Sequence, residues 1–190
     1  MGSKRNILAL LLIAFLAVIL LPPATVGAQT RTLTVPDQYP TIQAAIDNAS
    51  PGDTVYVRNG TYAVGEIGIN KPLSLIGENA NTTIINQQPL PYGGRVISVN
   101  ADNVTVSGFT IQNYDIGISV GTGYGYPDID NTALNCHIQG NKLLNGNYGI
   151  RVGGGIGFNI ANNTVLNNRE CGIYLFPALG QNYFGLILIA

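Results

Sequence analysis

Three stretches of this chain lie over one another residue for residue, and that register leaves few folds open. Asn103-Val-Thr-Val-Ser-Gly-Phe-Thr-Ile-Gln-Asn113 aligns with Asn135-Cys-His-Ile-Gln-Gly-Asn-Lys-Leu-Leu-Asn145, and both align with Gly157-Phe-Asn-Ile-Ala-Asn-Asn-Thr-Val-Leu-Asn167. Val106, Ile138 and Ile160 fall in one column, Ile111, Leu143 and Val165 in a second, and Asn113, Asn145 and Asn167 in a third. Each of those Asn residues is followed four or five residues later by Gly-Ile, at Gly117-Ile118, Gly149-Ile150 and Gly172-Ile173. The later two copies are 22 residues apart and the earlier two 32, with the ten extra residues gathered around 121–130.

Short segments that alternate apolar and polar residues bury one face of a strand and wet the other. A single coil of such strands cannot bury its apolar face, but stacked coils share a continuous core. Corners fall at Gly and Asn, which tolerate the left-handed backbone that a sharp bend needs. A β-sandwich with Asn-Gly turns is the alternative, yet its strands would not recur in register. The expected fold is therefore all-β: a right-handed parallel β-helix of about five coils with a period of about 22 residues. The Asn113, Asn145, Asn167 column should form a ladder of side-chain amides.

The N-terminal part reads differently. Arg31-Thr-Leu-Thr-Val35 is a strand pattern, and 40–49 carries Ile42, Ala45 and Ile46 on one helical stripe. A helix there would cover the open edge of the first coil, starting at Thr54-Val-Tyr-Val57. The expected division is a leader over 1–28 and a β-helix domain over 29–190, with a cap at about 31–52 and coils over 53–190. The leader rests on Lys4 and Arg5, the apolar run from Ile7 to Leu21, and small residues up to Ala28, the pattern of a secretory signal. That implies a secreted, extracellular, cell-surface or periplasmic location, with membrane contact only through an uncleaved leader. Phe184-Gly-Leu-Ile-Leu-Ile-Ala190 is apolar without alternation, so a truncated product or end-to-end association through the last coil is also expected.

Four segments carry a family resemblance: Tyr39-Pro-Thr-Ile-Gln-Ala-Ala-Ile-Asp47, Gly52-Asp-Thr-Val-Tyr-Val57, Gly60-Thr-Tyr62 and Lys71-Pro-Leu-Ser-Leu-Ile-Gly77. Together they resemble the entry segment of the pectin-lyase-like β-helix superfamily, and the downstream Asn and Gly-Ile repeats are most similar to NosD-type and surface β-helix proteins. The resemblance implies the fold; it does not imply one chemistry, since this scaffold hosts many. The strings that pectate lyases, pectin methylesterases and polygalacturonases carry do not occur here, so no catalytic residue is carried over. The resemblance to NosD-type proteins implies copper, against which stand a single His, two Cys and a Met that is the initiator.

Charge narrows function further. Net charge is −1, and only 10% of residues are charged, against about 25% in ordinary domains. The Lys and Arg residues are scattered, so there is no nucleic-acid footprint. A neutral exterior of Asn, Thr, Ser and Gln suits polysaccharide or other envelope material. The candidate ligand-binding residues are Tyr124, Tyr126, Asp128 and Asp130, which share the inserted loop: flat rings for sugar faces and two carboxylates one residue apart. No metal site and no cofactor are expected. His137 aligns with outward polar positions, and Cys136 and Cys171 read as two buried free thiols on different parts of the coil. The leading reading is an exported, non-catalytic β-helix module, polysaccharide-binding or structural. The alternative is a fragment of a carbohydrate-active enzyme, a lyase or esterase whose catalytic coils are missing or diverged.

Overall fold

The computed structural model describes residues 29–88, 94–121, 133–153, 155–176 and 188–189. Three strands with a bend between each make one coil, and five complete coils are stacked. The first sheet contains Thr32–Val35, Thr54–Val57, Ser74–Gly77, Thr105–Ser107, His137–Gln139, Asn159–Ala161 and Leu188–Ile189. The second contains Gly60–Val64, Thr83–Gln87, Thr110–Gln112, Lys142–Leu144 and Thr164–Leu166. The third contains Ile67–Ile69, Arg95–Val99, Ile116–Val120, Tyr148–Gly153 and Cys171–Phe176. Every pairing between them is parallel, the signature of a right-handed parallel β-helix.

The register read from the sequence is the register of the coils. Ile138 faces Val106 on one side and Ile160 on the other. Leu143 lies between Ile111 and Val165, and Ile150 between Ile118 and Ile173. These columns point inward and stack into one apolar core running the length of the helix.

Three columns of left-handed residues make the corners. Asn103, Asn135 and Gly157 have φ of 54°, 53° and 78° and lead into the first sheet. Gly108, Gly140 and Asn162 (80°, 64°, 56°) turn the chain from the first sheet to the second. Asn113, Asn145 and Asn167 (59°, 61°, 57°) turn it off the second. Only Gly, or Asn with its short polar side chain, takes this conformation routinely, so the corners dictate residue type while the strands dictate only apolarity.

Amides tie the coils together at these corners. Asn167 Nδ2 donates to Asn145 Oδ1 (3.3 Å), and Asn113 Nδ2 to Asn86 Oδ1 (3.2 Å). A second ladder was not anticipated: the buried Asn141 donates through Nδ2 to the Val106 carbonyl (3.0 Å), and the half-buried Asn163 through Nδ2 to the Ile138 carbonyl (2.7 Å). The Asn141 backbone N–H in turn reaches Asn163 Oδ1 (3.0 Å). Each amide supplies a donor and an acceptor where a bend has broken the ladder, so buried backbone groups stay paired.

The helix Ile42–Asn48 closes the N-terminal end, with Thr41 capping it through a bond from the Ala44 N–H (3.1 Å). Ile42, Ala45 and Ile46 are its buried stripe. Gln43 mimics a strand: its Oε1 accepts from the Gly68 N–H (2.8 Å) and its Nε2 donates to the Gly68 carbonyl (3.2 Å), blunting the third sheet's first edge. Below it, Asp53 accepts from the Arg31 guanidinium (2.7 Å) and from the Ser50 N–H (2.8 Å).

At the opposite end, Val165, Ile173 and Leu175 are only half-buried, whereas Leu143, Ile150 and Val152 one coil earlier are sealed. Where an uncovered last coil is expected from the sequence, Leu188–Ile189 adds a further first-sheet strand on Asn159–Ala161. No described helix is long and apolar enough to cross a membrane.

Candidate functional site

Most outward positions of the first sheet are small and polar: Thr54, Ser74, Thr105, His137 and Asn159 share one column. The third sheet is different. Between the inward Ile97 and Val99, Ile118 and Val120, and Ile150 and Val152, alternation turns the intervening residue outward. Strand pairing sets those residues side by side as Gly68, Ser98, Ser119, Arg151 and Tyr174. Neighbours in such a column are about 4.8 Å apart, within reach of one ligand.

The column has a defined chemistry along its length. The Ser98 hydroxyl donates to the Glu66 carboxylate at one end. In the middle, Ser119 is 2% exposed and its hydroxyl has no hydrogen-bond partner. A buried hydroxyl left unpaired costs about 1–3 kcal/mol, and Ser98 is as closed to solvent as Ser119. At the far end the Tyr148 and Tyr174 rings sit 5.7 Å apart at 54°, with Tyr174 41% exposed. Tyr148 opens the strand that carries Arg151, and Tyr174 pairs with Arg151 from the next strand. One face thus carries a carboxylate, two hydroxyls, a guanidinium and two rings.

The sequence reading missed this set, although a signal was there. The residue after each Gly-Ile is the outward one: Ser119, Arg151 and Tyr174. The residues chosen from the sequence, Tyr124, Tyr126, Asp128 and Asp130, lie outside the described residues. Their segment leaves from Gly121, whose N–H donates to the Val99 carbonyl (2.9 Å), and returns at Ala133–Leu134, paired with Gly155–Ile156. The insertion therefore departs from the end of the third-sheet strand that carries Ser119.

Among the described residues no three His, Cys, Asp or Glu side chains gather to hold a metal. His137 is half-exposed between Thr105 and Asn159. Cys136 is fully buried, and burial pushes its thiol pKa up. Cys171 corrects an expectation: it is free but only half-buried, at the start of the outermost third-sheet strand among the described residues.

A family model described as "Periplasmic copper-binding protein (NosD)" matches residues 46–179, well over half of the chain. No curated protein and no solved structure matches. The matched span begins inside the capping helix and runs through all five complete coils. Copper is held by soft sulfur or imidazole donors, and here those donors do not converge. What the chain shares with the family is the stacked coil itself, and by that match it belongs to the NosD family of parallel β-helix proteins.

Proposed function

We propose that this chain is an exported, non-catalytic β-helix module of the periplasm or cell surface that binds polysaccharide along the outer face of its third sheet. The carrying observation is the tilted Tyr148–Tyr174 pair, with the exposed Tyr174 in register with Arg151 on the neighbouring strand. Sugar rings present apolar C–H faces that pack on aromatic rings, while their hydroxyls exchange hydrogen bonds with serine, carboxylate and guanidinium groups. A straight face repeating every coil suits a polymer better than a small ligand, which prefers a closed pocket. The export reading draws support from the leader at 1–28 and from a family described as periplasmic.

Glycoside cleavage calls for two carboxylates flanking the bond, and the described column has one, Glu66. Tyr124, Tyr126, Asp128 and Asp130 stay in the reading as candidate ligand-binding residues, because their segment follows the third-sheet strand that ends at Val120.

Calorimetric titration of the full chain with a panel of soluble neutral and uronate polysaccharides tests this. One polymer should bind, and Tyr174→Ala and Arg151→Ala should each weaken it by about tenfold, near 1.4 kcal/mol, with circular dichroism unchanged. Loss in a Tyr124→Ala, Tyr126→Ala double variant would assign the loop its part. Silence across the panel would overturn the reading, and release of cleaved product would overturn its non-catalytic half.

A further inference from the structure

We infer that this chain works without copper, keeping the β-helix of the NosD family but not a donor set that could hold the ion. The inference is independent of the polysaccharide reading. Copper in an exported protein is bound by thiolate, thioether or imidazole, two or more of them converging on one point. The whole chain offers one His, two Cys and one Met, so any site must draw on His137, Cys136, Cys171 and Met1. Met1 opens the apolar leader.

The fold sends the other three apart. Cys136 and His137 are consecutive, and in extended backbone consecutive side chains leave opposite faces. Cys136 is sealed in the core, its thiol against the Ala101 carbonyl (3.4 Å). His137 stands on the outside of the first sheet, in the column of Thr105 and Asn159. A metal at His137 would have to pass through the sheet to meet the neighbouring sulfur. Cys171 belongs to the third sheet, where it pairs with Tyr148 and its thiol donates to the Ile173 carbonyl (3.1 Å). Burial raises the Cys136 thiol pKa and so disfavours the thiolate, the form that ligates a metal. Oxygen donors do not rescue the site, since among the described residues no cluster of three carboxylates or other ligating groups exists.

The test uses the reduced full chain under anaerobic conditions, challenged with Cu(I) against a chromophoric chelator and separately with Cu(II). The expected result is substoichiometric copper after desalting and an unchanged thermal midpoint with either ion. Retention of one copper per chain overturns the inference. The variant His137→Ala, Cys171→Ala then tells how: loss of copper in it identifies those donors, and persistence identifies ligands elsewhere. Either outcome refutes the geometry argued above.

Discussion

Gly146→Ala puts a single methyl group where the packing has no room for it. Tyr114 follows the left-handed corner residue Asn113, and its ring runs beneath Gly146 to reach the coil beyond, where its hydroxyl donates to Asn168 Oδ1 (2.7 Å). A Cβ on Gly146 would sit 1.9 Å from Tyr114 Cε2, 2.2 Å from Cδ2 and 2.6 Å from Cζ. Gly146 itself has no positive φ, so the cost is steric. Tyr114 is 5% exposed and cannot swing freely into solvent. Overpacking costs about 1–3 kcal/mol, and pulling the hydroxyl from Asn168 strands buried polar atoms for about 1–3 more. A total of roughly 2–6 kcal/mol corresponds to a fall in Tm of about 6–18 °C in a domain of this size. Thermal and urea unfolding of the single and double variants with Tyr114→Ala give the coupling. In the Tyr114→Ala background the Gly146→Ala cost should shrink to about 0.5 kcal/mol, because its collision partner is gone. Equal costs in both backgrounds would refute the idea that the ring and the glycine form one packed unit.

Other positions test other parts of the argument. Gly149→Ala would aim its methyl at the Gly172 carbonyl (2.4 Å), which is backbone and cannot step aside, whereas Gly172→Ala meets only Val165 Cγ1 at 3.4 Å. Urea midpoints should therefore fall by the equivalent of about 2 kcal/mol or more for the first and under about 1 for the second. Ile150→Asp leaves an unpaired charge in the sealed column and should cost several kcal/mol or abolish folding, while His137→Ala on the wet face should stay within about 0.5 kcal/mol. Asp53 is held near a pKa of about 2, first by the side-chain hydrogen bond from Arg31 and then by backbone N–H groups of Arg31 and Ser50. Its carboxylate favours the folded state fully above the ordinary value of 3.8, and this contribution is lost as pH falls toward about 2. Asp53→Asn should flatten the acid limb of a stability profile between those values; an unchanged limb would remove Asp53 from the account.

The fold was legible because the stack imposes itself on residue identity at every coil. Val106, Ile138 and Ile160 must all be apolar since each forms the floor of the next, so a register error in the alignment would have turned polar residues such as Thr105, Gln139 and Asn159 inward. The corner Asn residues add a second constraint of a different kind, backbone conformation, at the same period. Two independent constraints with one period are hard to produce by chance. The cap was readable for the same reason: Ile42, Ala45 and Ile46 sit on a stripe that has no use except against a core. The Asn141 and Asn163 ladder escaped notice because a polar residue at an inward position reads as an exception, when at a bend it is the partner that broken backbone pairing requires.

Outward residues obey no such rule, and this is why the site was hard to see. Ser98, Ser119, Arg151 and Tyr174 occupy one column yet share neither size nor charge, so no periodic pattern in the sequence marks them. The sequence reading looked instead to the interruption in the period, where Tyr124 and Asp128 stand out because they fit no coil. An insertion and a face are not rivals, however. A parallel stack can lengthen a loop only at a corner, and the corner it uses decides which sheet the loop adjoins. The ten extra residues enter after Val120, at the end of a third-sheet strand rather than at a first-sheet or second-sheet corner. The longest growth of the repeat, between Val120 and Ala133, thus follows a strand of the sheet that carries Arg151, the Tyr148–Tyr174 pair and the unpaired Ser119 hydroxyl.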